Sequence, residues 1–333
     1  IIENPNLSAT DKKNITIEYG GKLLDHNSED HFDGQKWCAL YEQLTSKDGR
    51  SGDGAKGAKE PDGVITRNIE IVNAGGTAGD KDLNGSAIPV RYIDVEIKGN
   101  LSISNNRQVI IQESSVESAT VTKNESVEFF NNEYLRAVYA AENRDVKFND
   151  NDWIGNIFAE RNDNVEINRN ERIDYISAIE NRHVVISENV SIGDIFAERN
   201  DNVEINRNER IDYISAIANK NVFITENDSI GNILAERNDN VTISKNGIID
   251  YLSAIGNKNV VITENGFIGN IVATNNGTVR ISDNGWIGSI TAAYNGLLFI
   301  FNNEYIGQVL AEYNGEVYIF GNQIGSLTAD NNG

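Results

Sequence analysis

The sequence predicts an all-β fold: a parallel β-solenoid of 19-residue coils wound from one chain, with an irregular N-terminal cap. Three observations predict it. The segment 165–202 recurs almost unchanged as 203–240, a 38-residue period, and each copy holds two 19-residue units. Written from Val127, Val146, Val165 and every nineteenth residue to Val317, the units share the pattern V-x-[IF]-x-x-N-x-x-I-G-x-I-x-A-x-x-N-x-x. Within it, position 14 is Ala and positions 6 and 17 are Asn in all eleven units, once a one-residue deletion beside Gln323 is allowed.

Each part of the unit has a structural meaning. Positions 1 and 3 are apolar around a mostly polar residue, the period-two mark of a strand with one buried face; positions 12 and 14 repeat it. Positions 9 and 12 are both apolar but three apart, so the chain must bend between them, usually at a position-10 glycine such as Gly155, Gly193, Gly231 or Gly269. The two Asn positions fall where strands end, and Asn both tolerates left-handed backbone and bonds neighbouring backbone groups. Nineteen residues are too few for a helix pair, and the apolar positions are β-branched. Stacking coil on coil then gives apolar ladders inside and two asparagine ladders at the corners. These are Asn151, Asn170, Asn189, Asn208, Asn227 and Asn246 in one column, and Asn162, Asn181, Asn200, Asn219 and Asn238 in the other. The side chain at position 14 never exceeds Ala, so the core is narrow there. The crossover rule for parallel strands favours a right-handed coil.

Upstream the pattern loosens. Residues 90–108 and 109–126 read as two further coils, giving a solenoid over 90–333 with regular coils in 127–333. Residues 1–89 read as a cap, because an open coil is an unpaired sheet edge. They contain a strand-like NITIEY (14–19), the aromatic cluster Trp37–Tyr41 and a Gly-rich polar stretch, 49–63, expected to be a mobile loop. The chain starts at Ile1, contains no Met and stops at a coil boundary. It is therefore expected to be a processed chain or a fragment, continued or covered at its C-terminal end.

Composition narrows function. There are 50 acidic and 29 basic residues among 333, a net charge of −21. That balance argues against nucleic-acid partners and against anionic lipid, since both need a basic face. No apolar run approaches a membrane-spanning helix. The single cysteine, Cys38, excludes an intrachain disulfide and a Cys-based zinc site, and three histidines leave little for a His-ligated metal. Cys38 is expected to be a small buried residue.

Three sets of residues are candidates for function. Glu160, Glu198 and Glu236 recur at position 15 of alternate coils, and Asp174, Asp212 and Asp250 at position 10 of the coils between. Carboxylates two coils apart would stand about 9.6 Å from each other, the outer limit for an inverting glycosidase. Catalytic sites are singular, whereas these acids repeat and have Arg161, Arg199 and Arg237 beside them. The expectation is a solvated acidic face with no catalytic residue and no cofactor. Asp163, Asp201 and Asp239, in the corners RNDN, are weak calcium candidates; hard cations want six or more oxygens, and turn chemistry is the simpler reading. The third set is apolar. Phe158, Phe196, Leu234 and Val272 at position 13 alternate with Ile179, Ile217 and Ile255 at position 15, flanking the inward alanines. Together they predict an outward apolar stripe, which marks an interface unless residues 1–89 fold over it. Outward threonines (Thr225, Thr263, Thr291) are scattered, which disfavours ice binding.

The F-x-x-N at Phe129–Asn132 and Phe148–Asn151, the I-x-x-N at the same place later, and Ser-Ala-Ile at 177–179, 215–217 and 253–255 form a recognisable set. It resembles the F-x-x-N and G-G-A-I repeats of polymorphic outer-membrane proteins and related autotransporter passengers. The resemblance covers 127–333 and departs in spacing, in lacking the double Gly and in having no Cys in the repeats. It implies a secreted, surface-displayed β-helix used in adhesion. The expected function is thus an extracellular, non-enzymatic binding module, with other copies of itself or a surface glycan or protein as partner. A self-assembling fibre or surface-layer subunit and a polysaccharide-cleaving enzyme are the alternatives.

Overall fold

A computed structural model describes residues 96–333 apart from Arg107. Before them it describes five strands: Ile15–Tyr19, Lys22–Asp25, Val64–Ile65, Ile69–Val72 and Val90–Ile93. Cys38, the Trp37–Tyr41 cluster and the stretch 49–63 lie outside the described residues. Every described element is a β-strand, and the chain falls into two compact units, Ile1–Glu166 and Ile167–Gly333.

Both units are parallel β-solenoids made of one repeating pair of strands. A five-residue strand spans positions 19 to 4 of the coil, for example Asn202–Asn206, and an eight-residue strand spans positions 8 to 15, for example Arg210–Ile217. Short strands pair with short strands and long with long, in parallel and one coil apart. Val203 thus sits on Val222 and Ile205 on Ile224, while Ile211 sits on Ile230, Ile214 on Ile233 and Ala216 on Ala235. In the first unit the same register joins Val127 to Val146 and Ala140 to Ala159. The irregular upstream coils join this stack: Val109 pairs with Val90, and Glu96–Ser104 pairs with Ser115–Thr122 through a bulge between Ile97 and Asn100. Ile69–Val72 adds in parallel to Leu101–Ser104, and Ile15–Tyr19 runs antiparallel to it and to Lys22–Asp25. The cap expected over 1–89 is described only in these short strands.

The core is the one the repeat dictates. Positions 1, 3, 9, 12 and 14 are buried in every regular coil but the last, as in Val203, Ile205, Ile211, Ile214 and Ala216, each at most 1 % exposed; in the last coil Leu327 is 51 % exposed. The expected bend also appears, inside the long strand. Positions 9 and 12 both point inward, positions 10 and 11 both point out, and position 10 drops out of the register between Ile211–Ile230 and Tyr213–Asn232. Glycine there has a steric reason. A Cβ on Gly231 would stand 2.4 Å from the carbonyl oxygen of Asp212 in the coil below, and one on Gly269 would stand 2.2 Å from that of Asp250.

One expectation at the corners is corrected. The left-handed residue is not the ladder asparagine but the residue before it. Positions 5 and 16 carry the positive φ, as at Arg207 (54°), Arg199 (54°), Glu226 (59°) and Arg237 (55°). The asparagine is needed with its side chain inward, so the chain must turn one residue earlier. There a long exposed side chain accepts the conformational cost, about 1–2 kcal/mol for a non-glycine residue.

Candidate functional site

The asparagine ladders are the most regular polar feature. In the second unit the backbone N–H and the Nδ2–H of Asn189 both donate to Oδ1 of Asn208, at 3.0 and 2.9 Å, and Nδ2 also donates to the Ile167 carbonyl at 2.9 Å. The pattern continues through Asn208, Asn227 and Asn246. The other corner repeats it from Asn181 through Asn200 and Asn219 to Asn238, whose amides also reach back to alanine carbonyls such as Ala197 O. Asn170 donates to Asn189 in the same way, and in the first unit Asn132 donates to Asn151 and Asn143 to Asn162. All these asparagines are at most 3 % exposed. Every amide hydrogen has an acceptor and each Oδ1 takes two donors. The ladder is therefore structural, as its burial requires.

A third, partly exposed ladder went unread in the sequence. At position 19, Asn221 Nδ2 donates to Asn202 Oδ1 at 2.8 Å, Asn240 to Asn221 at 3.0 Å and Asn259 to Asn240 at 3.0 Å. It runs toward earlier coils, opposite to the buried pair. Asn at four successive nineteenth residues was the available signal.

Five of the six recurring acids are held by neighbouring cations; Asp250 has Ile248 where Arg172 and Arg210 stand in its counterparts. Glu160 pairs with Arg161, Glu198 with Arg199, and Glu236 with Arg237 at 3.2 Å. Asp174 pairs with Arg172 at 2.8 Å and Asp212 with Arg210 at 3.0 Å. Glu160 also accepts from the Tyr139 hydroxyl at 3.0 Å, and that hydrogen bond, with burial and the carboxylate charge, raises the Tyr139 pKa above the ordinary phenol value. Glu198 and Glu236 lie two coils apart with Ile217 between them. Each therefore belongs to its own arginine rather than to an acid–base pair.

The corner aspartates show the same logic between coils. Asp201 Oδ1 lies 2.5 Å from Lys220 Nζ, and Asp239 Oδ1 lies 2.6 Å from Lys258 Nζ. Asp163 lines a shallow depression with Lys123, Arg144 and Arg161 and with Glu125 and Glu142. Among the described residues no cluster of three or more His, Cys, Asp or Glu forms. Position 18 thus reads Arg182, Asp201, Lys220, Asp239, Lys258, and position 5 reads Arg169, Glu188, Arg207, Glu226, Lys245, Glu264. The signs alternate coil by coil, with Arg207–Glu188 at 3.3 Å as an example at position 5; at position 16 Arg199 also pairs with Glu180 one coil away, at 3.0 Å.

The apolar set lies where the sequence puts it, on the outer side of the long strands. In the second unit Phe196, Leu234 and Val272 stand at position 13, Ile179, Ile217 and Ile255 at position 15, and all six are half-buried. Phe196 packs against Tyr175 and Tyr213, with ring centroids 5.4 and 5.7 Å away. Ser215 and Ser253, set between these residues in the stack, are buried by them. Phe158 holds the equivalent place in the first unit and is 39 % exposed. Whether residues 1–89 cover this stripe lies outside the described residues. Later coils carry aromatic columns instead: Phe267 stacks on Trp286 at 4.8 Å, and Phe299 on Tyr318 at 5.0 Å.

No family model matches the chain, no curated protein matches it, and no solved structure matches it.

Proposed function

We propose that the chain is an extracellular, non-catalytic binding module, an adhesin-type β-solenoid that engages its partner through a repeated outer face. The observation that carries this reading is the half-buried apolar stripe Ile179, Phe196, Ile217, Leu234, Ile255 and Val272 on the outer side of the long strands. An apolar surface of this length, rimmed by ion pairs, is what an interface needs. The arginine-held acids support the non-catalytic half of the reading, because Glu160, Glu198, Glu236, Asp174 and Asp212 each stand against a cation.

The test is adsorption of the purified chain to cell surfaces, compared with the double variant Phe196→Asp with Ile217→Asp. The reading expects adsorption by the wild type and its loss in the variant, with an unchanged β circular-dichroism spectrum. Adsorption retained by a folded variant overturns it. Filaments of the wild type that vanish in the variant would make the stripe a contact between copies, the fibre alternative.

A further inference from the structure

The outward column at position 2 of the short strands runs Val261, Arg280, Phe299, Tyr318, each directly above the last in register. Arg280 leaves that column. Its guanidinium lies over the Phe301 ring, 4.5 Å from the centroid, and its Nε donates to Ser282 Oγ at 3.3 Å. Beside it lies a notch of about 390 Å³ lined by Val261, Phe299, Phe301 and Arg280, with Asn259 and Thr278. The notch is a missing rung of an aromatic column. Phe299 and Tyr318 stack at 5.0 Å with 8° between their planes, and the next ring in that series would occupy that space.

We infer that this notch binds a pyranose ring bearing a carboxylate, a uronate unit of a glycan. The inference rests on the binding-module reading and adds a ligand class and a second face to it. The cation is available: among the described residues no carboxylate lies within ion-pair distance of Arg280, whereas Arg161, Arg172, Arg199, Arg210 and Arg237 all have one. Its planar fork matches a carboxylate with two parallel hydrogen bonds. The Phe299 and Val261 walls suit the C–H faces of a sugar ring and offer nothing to a bare inorganic anion. Asn259 Oδ1 and the Thr278 hydroxyl can bond ring hydroxyls while Asn259 Nδ2 keeps its bond to Asn240. The volume lies in the range of small-ligand sites, about 300–1,000 Å³. Physiological salt screens the acidic remainder of the chain beyond about 8 Å, so the local cation decides the sign of recognition.

The experiment is calorimetric titration of the whole chain with a glucuronate trisaccharide, against a glucose trisaccharide of equal length and against acetate. Arg280→Gln removes the charge, and Arg280→Phe fills the missing rung. The inference expects uronate binding, at least about tenfold weaker glucose and acetate binding, and a loss of about tenfold or more in Arg280→Gln. Arg280→Phe should lose binding entirely. If Arg280→Phe fails to fold, Arg280→Gln decides. No uronate binding by the wild type, equal binding of glucose or acetate, or retained binding in a folded Arg280 variant overturns it. Adsorption lost only on changing the stripe, with no uronate bound, would sink this inference and leave the binding-module reading standing.

Discussion

At the scale of single residues, the buried asparagines carry the sharpest energetic consequence. Replacing Asn208 by Ala removes the acceptor of two bonds from Asn189 and the donor to Asn227 and to the Ile186 carbonyl, all inside the fold. Leaving such groups unsatisfied costs about 1–3 kcal/mol each, so Asn208→Ala should lower stability by about 3 kcal/mol or more in urea unfolding. Asn221→Ala, in the partly exposed ladder, should cost less than about 1 kcal/mol, because water replaces the lost partner. Equal losses would mean that burial is not what makes the corner ladders matter. Gly231→Ala should cost about 1–3 kcal/mol through the clash with the Asp212 carbonyl, read as a lower unfolding midpoint. Tyr139 gives a pH prediction. Its folded pKa is raised by the bond to Glu160, so the stability it contributes is complete below the ordinary phenol pKa and is lost as pH rises through the raised folded value. Among the described tyrosines, ultraviolet titration should show Tyr139 and Tyr318, the latter bonded to Glu316, ionising above the ordinary value, with that late phase smaller by one tyrosine in Glu160→Ala.

At the scale of the coil, what the sequence makes legible follows the period of the buried residues. Positions 1, 3, 9, 12 and 14 are unmistakable because apolar residues recur there in every coil, and Ala at position 14 has no exception. The corners were only half legible. Asn at positions 6 and 17 announces a turn, but the left-handed residue is Arg207 or Glu226, types that carry no such signal, because the inward amide leaves the turn to its neighbour. The outward columns were harder still. Asp201 and Asp239 look like oxygen ligands when each corner is read alone; only the register reveals Lys220 and Lys258 one coil away. The Arg280 notch lies beside one side chain that leaves its column, which no periodicity can show. The charge columns are testable directly. Lys220→Asp would stack three aspartates at neighbouring rungs. Like charges directly opposite each cost up to about 1 kcal/mol, so the variant should lose about 1–2 kcal/mol at low ionic strength and regain most of it in molar salt. Calcium or a chelator should leave the wild-type unfolding midpoint unchanged, because Lys220 and Lys258 already neutralise Asp201 and Asp239. A calcium-dependent midpoint would restore those aspartates as ligands.

At the scale of the whole molecule, the question is why the strongest repeat is 38 residues when the fold repeats every 19. The core cannot be the reason, since it is identical in all four coils of 165–240. The surface is. Adjacent coils are complementary: Glu188 faces Arg207, Asp201 faces Lys220, Glu198 faces Ile217 and Phe196 faces Ser215. The sequence unit is then a pair of coils, and deletions can separate it from the structural unit. Removing 203–240 brings Glu188 next to Lys245, Asp201 next to Lys258, Glu198 next to Ile255 and Phe196 next to Ser253, which preserves every complementary contact. Removing only 203–221 brings Glu188 next to Glu226, Arg199 next to Arg237, Asp201 next to Asp239 and Glu198 next to Glu236. For a stack held by its core alone, the longer array is the more stable, because each coil adds its own interface. Charge complementarity reverses that order. Four like-charge contacts at up to about 1 kcal/mol each should make the 19-residue deletion the less stable of the two in low salt, although it retains an extra coil. Unfolding both deletions in urea at low and high salt decides the matter. The order should invert as salt screens the columns, and an unchanging order in favour of the longer chain would show that the 38-residue period has no energetic basis in the charge ladders.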